Sequence, residues 1–330
     1  MKIGEAMEFL YNYGLFITKL ISIVIAILII AAGLVAIFTK NKINHAGSLN
    51  LNKLNERFTT YQQEITAQIG DKKDLKKLKK SEKSAAKKSR SRIFILNFVG
   101  DMRASAVSSL REEISALLLV AKPKDSVLIR LESPGGLVNA YGLAASQLER
   151  IRAAKIKLII SVDKVAASGG YMMACVADEI IAAPFAIIGS IGVVAQLPNF
   201  HRFLEKKNVD WEMFTAGDYK RTVTMFGQNT EKGREKFQEE LEETHVLFKN
   251  FIQQFRPKVN IEKVSTGEHW YAQQALEFQL VDALQTSDDF LLKARDEYEL
   301  IELSYQLKKS LLQRLGGSAE KAWLMLSGQA

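Results

Sequence analysis

One cysteine in 330 residues, Cys175, leaves no partner for an internal disulfide and no set of thiolates for a metal. It lies in an apolar segment and reads as a small core residue. Histidine is nearly as scarce. His45, His201, His245 and His269 are the only four, and none stands in a turn of small residues. The usual general base of a hydrolytic serine is therefore missing from the places that would need it. Aromatic rings are absent from the one strongly basic tract, 71–92, where eleven Lys or Arg face Asp71, Asp74 and Glu82. That surplus of eight equals the formal charge of the whole chain, +8, so the remainder is neutral. Without rings to stack on bases, the tract does not read as a nucleic-acid surface, and no nucleic acid is expected as a partner. It reads as a solvated helical or disordered linker, with contact to anionic lipid headgroups as the alternative.

Charge is missing altogether from Leu20 to Thr39, 20 residues that end at Lys40 and Lys42. That length matches a helix crossing a hydrocarbon core, so 1–42 is read as an amino-terminal anchor in a lipid bilayer. Leu34-Val35-Ala36 is a poor cleavage site, which favours an uncleaved anchor over a signal peptide. Lys2 and Lys19 precede the span, while Lys40, Lys42, Lys53 and Arg57 follow it, a bias that puts the carboxyl side in the cytoplasm.

Proline is absent between Ile43 and Arg92, and Leu51, Leu54, Phe58, Tyr61 and Ile65 recur at helical spacing. A helical or partly disordered stalk is expected over 43–92. At Ile93 an unbroken apolar run begins, Ile93-Phe94-Ile95-Leu96-Asn97-Phe98, and the domain boundary is placed there.

What is present from this point is alternation. Helices are expected over Ala104–Val120 and Leu137–Ala153, and strands over Ser126–Glu132, Leu158–Val162, Glu179–Ala182 and Ile187–Gly189. A long charged helix covers Glu231–Phe255. The order implies an α/β domain over 93–300 with a largely parallel sheet, its sites beyond the carboxyl ends of strands. Two turns of small residues fall at such ends, Ser133-Pro134-Gly135-Gly136 and Ala167-Ser168-Gly169-Gly170. Ser168 suits either a helix N-cap or a nucleophile whose next glycine admits substrate to a backbone N–H. The remaining segment, 301–330, with Leu311, Leu312, Leu315, Trp323, Leu324 and Leu326, is expected to be an amphipathic helix.

Taken together, V-L-I-R-L-E-S-P-G-G (127–136), V-D-K-V-A-A-S-G-G-Y-M-M-A-C-V-A-D-E-I (162–180) and I-G-S-I-G-V (188–193) resemble the signal peptide peptidase A family of serine proteases, most closely its SohB branch. The resemblance extends to G-E-H-W-Y-A-Q-Q-A-L-E-F-Q-L-V-D (267–282). It implies a Clp protease/crotonase-like fold with repeated ββα units, homo-oligomers with active sites near protomer interfaces, and no cofactor or metal. It further implies a Ser-Lys dyad. Ser168 would be the nucleophile, and Lys220, in T-A-G-D-Y-K-R (215–221), the general base. Gly136 and Gly169 would supply oxyanion N–H groups, and Ser190 would orient the lysine. An ordinary lysine is protonated at neutral pH, with a pKa of about 10.4, so the role demands burial. Glu132 and Asp178 are assigned to structural pairing.

By the same resemblance, extended peptides such as leftover signal peptides or misfolded envelope proteins would be cleaved at the periplasmic side of a bacterial inner membrane, against the charge bias above. Two departures stand out: Gln279 where many relatives have glycine, and T-V-T-M-F-G (222–227) in place of a serine-proline pair. A crotonase-type acyl-CoA enzyme and a catalytically silent peptide-binding scaffold are the rival readings.

Overall fold

The computed structural model describes residues 12–28, 47–70 and 90–307. The chain divides into two units, Met1–Ser48 with Lys308–Ala330, and Leu49–Leu307. In the first, residues 12–28 form helix α1. Among the described residues no helix is long and apolar enough to cross a membrane. Residues 20–28 of the expected span lie in α1, and 29–39 fall outside the described residues, as do 71–89 of the basic tract and 308–330.

Strand β1 (Gly47–Lys53), most of which lies in the second unit, leads into helix α2 (Leu54–Ile69). β2 (Ser91–Val99), α3 (Val107–Leu118), β3 (Ser126–Glu132), α4 (Val138–Ala153) and β4 (Lys157–Val162) then alternate. β5 (Val165–Ala167) and α5 (Gly169–Ala174) follow β4 directly, and β6 (Glu179–Ala182) and β7 (Ile187–Gly189) form the next pair of strands. After α6 (His201–Lys206) and the long α7 (Glu231–Phe255) come α8 (Ile261–Val264), β8 (His269–Tyr271), α9 (Ala272–Glu277), β9 (Ala283–Leu284), α10 (Ser287–Ala294) and β10 (Tyr298–Leu307).

Seven strands make one sheet in the order β1-β10-β2-β3-β4-β6-β9, and every pair from β10 to β9 is parallel. Its central strands are buried on both faces, which is why they read as unbroken apolar runs. β2 shows the division. Phe94, Leu96 and Phe98 enter one core with α3, α4 and α5, while Ile93 and Ile95 enter a second with Leu54 of α2 and Leu291 of α10. On α3, Val107, Leu110, Ile114 and Leu117 recur at helical spacing and face the first core. α7 begins at Thr230, whose hydroxyl accepts the Gly233 N–H at 3.1 Å. A second sheet, β5-β7-β8, stands beside the carboxyl end of β4, joined to the first through a bridge between Ser133 and Ala166.

Two parts of the expected layout differ. The stretch read as a stalk supplies β1 and α2, and Leu54 is fully buried, so the boundary drawn at residue 93 falls inside the compact unit. The stretch from 301, expected to be helical, is strand as far as Leu307, with Ile301 and Leu303 in one core and Leu300 in the other. Pairing with β2, in the register Leu300↔Ile93, overrides any helical tendency there.

Candidate active site

The two turns of small residues meet because β5 is laced to the first of them. Ser133 N–H donates to the Val165 carbonyl at 2.8 Å, and Ala167 N–H donates to the Ser133 carbonyl at 3.0 Å. Ser168 then leaves β5 with its N–H on the Gly189 carbonyl at 2.8 Å, and its own carbonyl accepts Met172 N–H at 3.0 Å to open α5. Between those two bonds the backbone is forced to φ 52°, ψ −120°, outside the regions an L-residue favours. Such conformations cost roughly 1–3 kcal/mol and persist where the surroundings over-determine them. A strained serine on a sharp strand-to-helix turn is one way in which some folds expose a nucleophilic oxygen.

Ser168 occupies the N-cap position of α5, yet its side chain makes no capping hydrogen bond. The half-buried hydroxyl is thus not committed to the helix. Gly135, at φ 92°, passes so close that a Cβ would stand 2.7 Å from Ser168 Cβ and 2.8 Å from Gly169 N. Only glycine allows that approach. Gly136, Ser168 and Gly169 line one narrow cleft, together with Val138, Met172, Gly192, Val193, Thr244 and Phe248. Neither Gly136 nor Gly169 has an acceptor for its N–H among the described residues, the latter because it opens the helix. Two residues with free backbone donors and one with a free hydroxyl therefore line the same largely apolar cleft. Ser190, at φ 51°, follows the Gly189 that Ser168 binds and gives its own N–H to the Glu268 carbonyl at 2.6 Å.

Lys220 stands apart from these groups. It is exposed, beyond α6 in a segment without regular structure, and is not among the residues lining the cleft. That segment exposes Phe214 at 89%, while Val194, before α6, and Phe203, on α6, are 79% and 59% exposed. The three described histidines are also absent from the cleft lining, and His45 lies outside the described residues.

Asp178 pairs with Arg152 at 3.1 Å and accepts Leu158 N–H at 2.8 Å, while Glu132 pairs with Lys164 at 3.0 Å. Both are the structural ties the sequence suggested. Cys175 is fully buried, and desolvation pushes its thiol far above the ordinary range, consistent with a core residue. No group of three or more His, Cys, Asp or Glu among the described residues could hold a metal ion. Sequence reasoning missed Met172, Thr244 and Phe248 as cleft walls. Thr244 and Phe248 are four apart on α7, a spacing that puts them on one helix face but does not reveal what the face meets.

Residues 8–148 match "Peptidase family S49 N-terminal" and residues 150–300 match "Peptidase family S49". Among curated relatives, the "Probable protease SohB" of Haemophilus influenzae is 48% identical over 334 residues, covering 96% of this chain and 94% of that one. That of Buchnera aphidicola subsp. Acyrthosiphon pisum is 59% identical over 232 residues, covering 70% and 69%. A solved structure of a mutant "1510-N membrane-bound stomatin-specific protease", in complex with a substrate peptide, aligns with a TM-score of 0.42 at 15% identity, covering 69% of this chain and 97% of that chain. The chain is a peptidase and belongs to peptidase family S49.

Proposed function

We propose that this peptidase is a membrane-anchored serine endopeptidase of Clp/crotonase-like fold, with Ser168 as nucleophile and Lys220 as general base. The observation that carries the reading is the uncapped hydroxyl of Ser168 on a strained turn, in one cleft with the free N–H groups of Gly136 and Gly169. Ser168 Oγ attacks the peptide carbonyl, and neutral Lys220 accepts its proton. The two glycine N–H groups stabilise the oxyanion, each contributing roughly 3–4 kcal/mol in a water-poor site. Lys220 then protonates the leaving amine, and water activated by the same amine releases the acyl group.

Lys220 reaches Ser168, in this reading, from a second copy of the chain. Its segment exposes Phe214, with Phe203 of α6 and Val194 before α6 also exposed, apolar surface that an oligomer would cover, and covering it desolvates the lysine as a base requires. In the same reading Ser190, next to the Gly189 that Ser168 binds, orients the incoming amine. The cleft walls Val138, Met172, Val193 and Phe248 suit small or apolar side chains of an extended peptide, such as a leftover signal peptide or a misfolded envelope protein. A periplasmic site at a bacterial inner membrane fits such substrates. The lining includes no carboxylate, which a crotonase-type acid/base would need.

Ser168→Ala and Lys220→Ala should each abolish cleavage of an unstructured protein substrate, and mixing the two inactive chains should restore part of it. Full activity in Ser168→Ala would overturn the nucleophile. No recovery on mixing would put the dyad within one chain.

A further inference from the structure

Beneath the Gly135-Gly136 turn lies a buried chain of hydrogen bonds that the chemistry above does not use. Gly135 N–H meets Ser133 Oγ at 3.1 Å, Ser133 Oγ meets Tyr141 Oη at 2.6 Å, and Tyr141 Oη meets the Asp101 carbonyl at 2.8 Å. Its direction is determined. A backbone carbonyl can only accept, so the phenol gives its one proton to Asp101. Ser133 must then donate to Tyr141, and its lone pairs face Gly135 N–H. Ser133 and Tyr141 are both fully buried, so the bonds from Gly135 to Ser133 and from Ser133 to Tyr141 are made without competition from water. Burial also holds the Tyr141 phenol above its ordinary range, and the proton stays on it.

The ring of Tyr141 touches the second turn as well. A Cβ on Gly169 would stand 2.5 Å from Tyr141 Cγ and 2.7 Å from Cδ2, so the glycine backbone lies flat against the ring. Asp101 closes the frame. Its carboxylate accepts Arg103 N–H at 3.1 Å and Ser105 N–H at 2.8 Å, fixing the loop whose next carbonyl, Met102, accepts Leu137 N–H at 2.9 Å. One side chain thus meets Ser133 before Gly136, the loop bonded to Leu137 after Gly136, and Gly169 itself.

We infer that Tyr141 and Ser133 are positioning residues for the oxyanion site: their hydrogen-bond chain takes up Gly135 N–H and turns Gly136 N–H, with Gly169 N–H, toward the carbonyl that Ser168 attacks. The inference rests on the Ser168 nucleophile. It differs from a purely structural role in what it does to kinetics. A misaimed oxyanion donor weakens the transition state and leaves ground-state binding nearly unchanged.

The test uses the full chain, a peptide substrate and a temperature well below unfolding. Tyr141→Phe and Ser133→Ala should each lower kcat by about 10- to 100-fold with KM within about twofold, since a displacement on the order of 1 Å is worth that much. The double variant should be no worse than the poorer single one, because a chain broken at either link is broken. Wild-type kcat in both variants, a loss confined to KM, or losses that multiply in the double variant would overturn the inference. Those outcomes leave Ser168 untouched if Ser168→Ala is inactive in the same assay; an active Ser168→Ala would overturn both readings.

Discussion

Gln279 sits at φ 61°, one residue past the C-cap of α9. Its N–H bonds the Leu276 carbonyl at 3.0 Å, and Leu280 N–H reaches back to Ala275 at 2.9 Å, the paired bonds of a helix end that calls for glycine. The sequence flagged this position as a departure from its relatives, and the backbone supplies the meaning. Gln279→Gly should stabilise the fold by about 0.5–1 kcal/mol, the relief of left-handed strain less the added freedom of the unfolded chain. Urea unfolding at unchanged slope would register it; a lower midpoint would mean that the glutamine side chain contributes more than its backbone costs. Ser168, which lines the cleft, and Ser190, after the Gly189 that Ser168 binds, share the same positive sign of φ. The residue types there were legible in the sequence. The strain was not, because it arises from bonds to Gly189 and Glu268, distant in the chain.

Among elements, α3 and β10 meet at a buried carboxylate. Glu113 is 5% exposed, and its Oε1 accepts Tyr305 N–H at 2.8 Å with no ion pair among the described residues. Desolvation, opposed by that hydrogen bond, raises its pKa above the ordinary glutamate value. The folded state therefore binds the proton more tightly than the unfolded state does. The resulting stability is complete below the unfolded pKa of about 4.3 and is lost as pH rises through the folded one. Glu113→Gln keeps an acceptor for Tyr305 and cannot ionise. Its melting temperature should exceed that of wild type at pH 7 by a few degrees, with the gap closing toward pH 4. A gap that does not vary with pH would rule out the linkage.

The strands differ in how plainly they could be read. β3, β6 and β7 match their expected bounds because each is a short apolar run next to turn residues. β10 was mistaken for the start of a helix. Its partner β2 lies some two hundred residues earlier, and nothing local in Leu300-Ile301-Glu302-Leu303 announces that pairing.

At the scale of the molecule, α2 closes the second core, its Leu54 and Phe58 packing with Ile93, Ile95, Leu128 and Leu300. A chain beginning at residue 93 would expose that core and lose Leu54, a residue whose burial is worth about 2–5 kcal/mol by analogy with Leu→Ala changes. A chain beginning at residue 47 should unfold cooperatively, while one beginning at 93 should melt lower or expose apolar surface to a fluorescent dye. Equal melting temperatures would restore the boundary to residue 93.

The alternation of strands and helices, the two turns of small residues and Ser168 within the second of them could be read from the residues alone. Apolar runs, helical spacing and glycine act within a few residues of where they stand. Only the tertiary structure decided that β10 enters the sheet beside β2, that Tyr141 braces both turns, that α7 walls the cleft and that Ser168 keeps its hydroxyl free. Each of these depends on contacts between distant segments, and a backbone N–H is shown to be free only once every acceptor around it has been assigned.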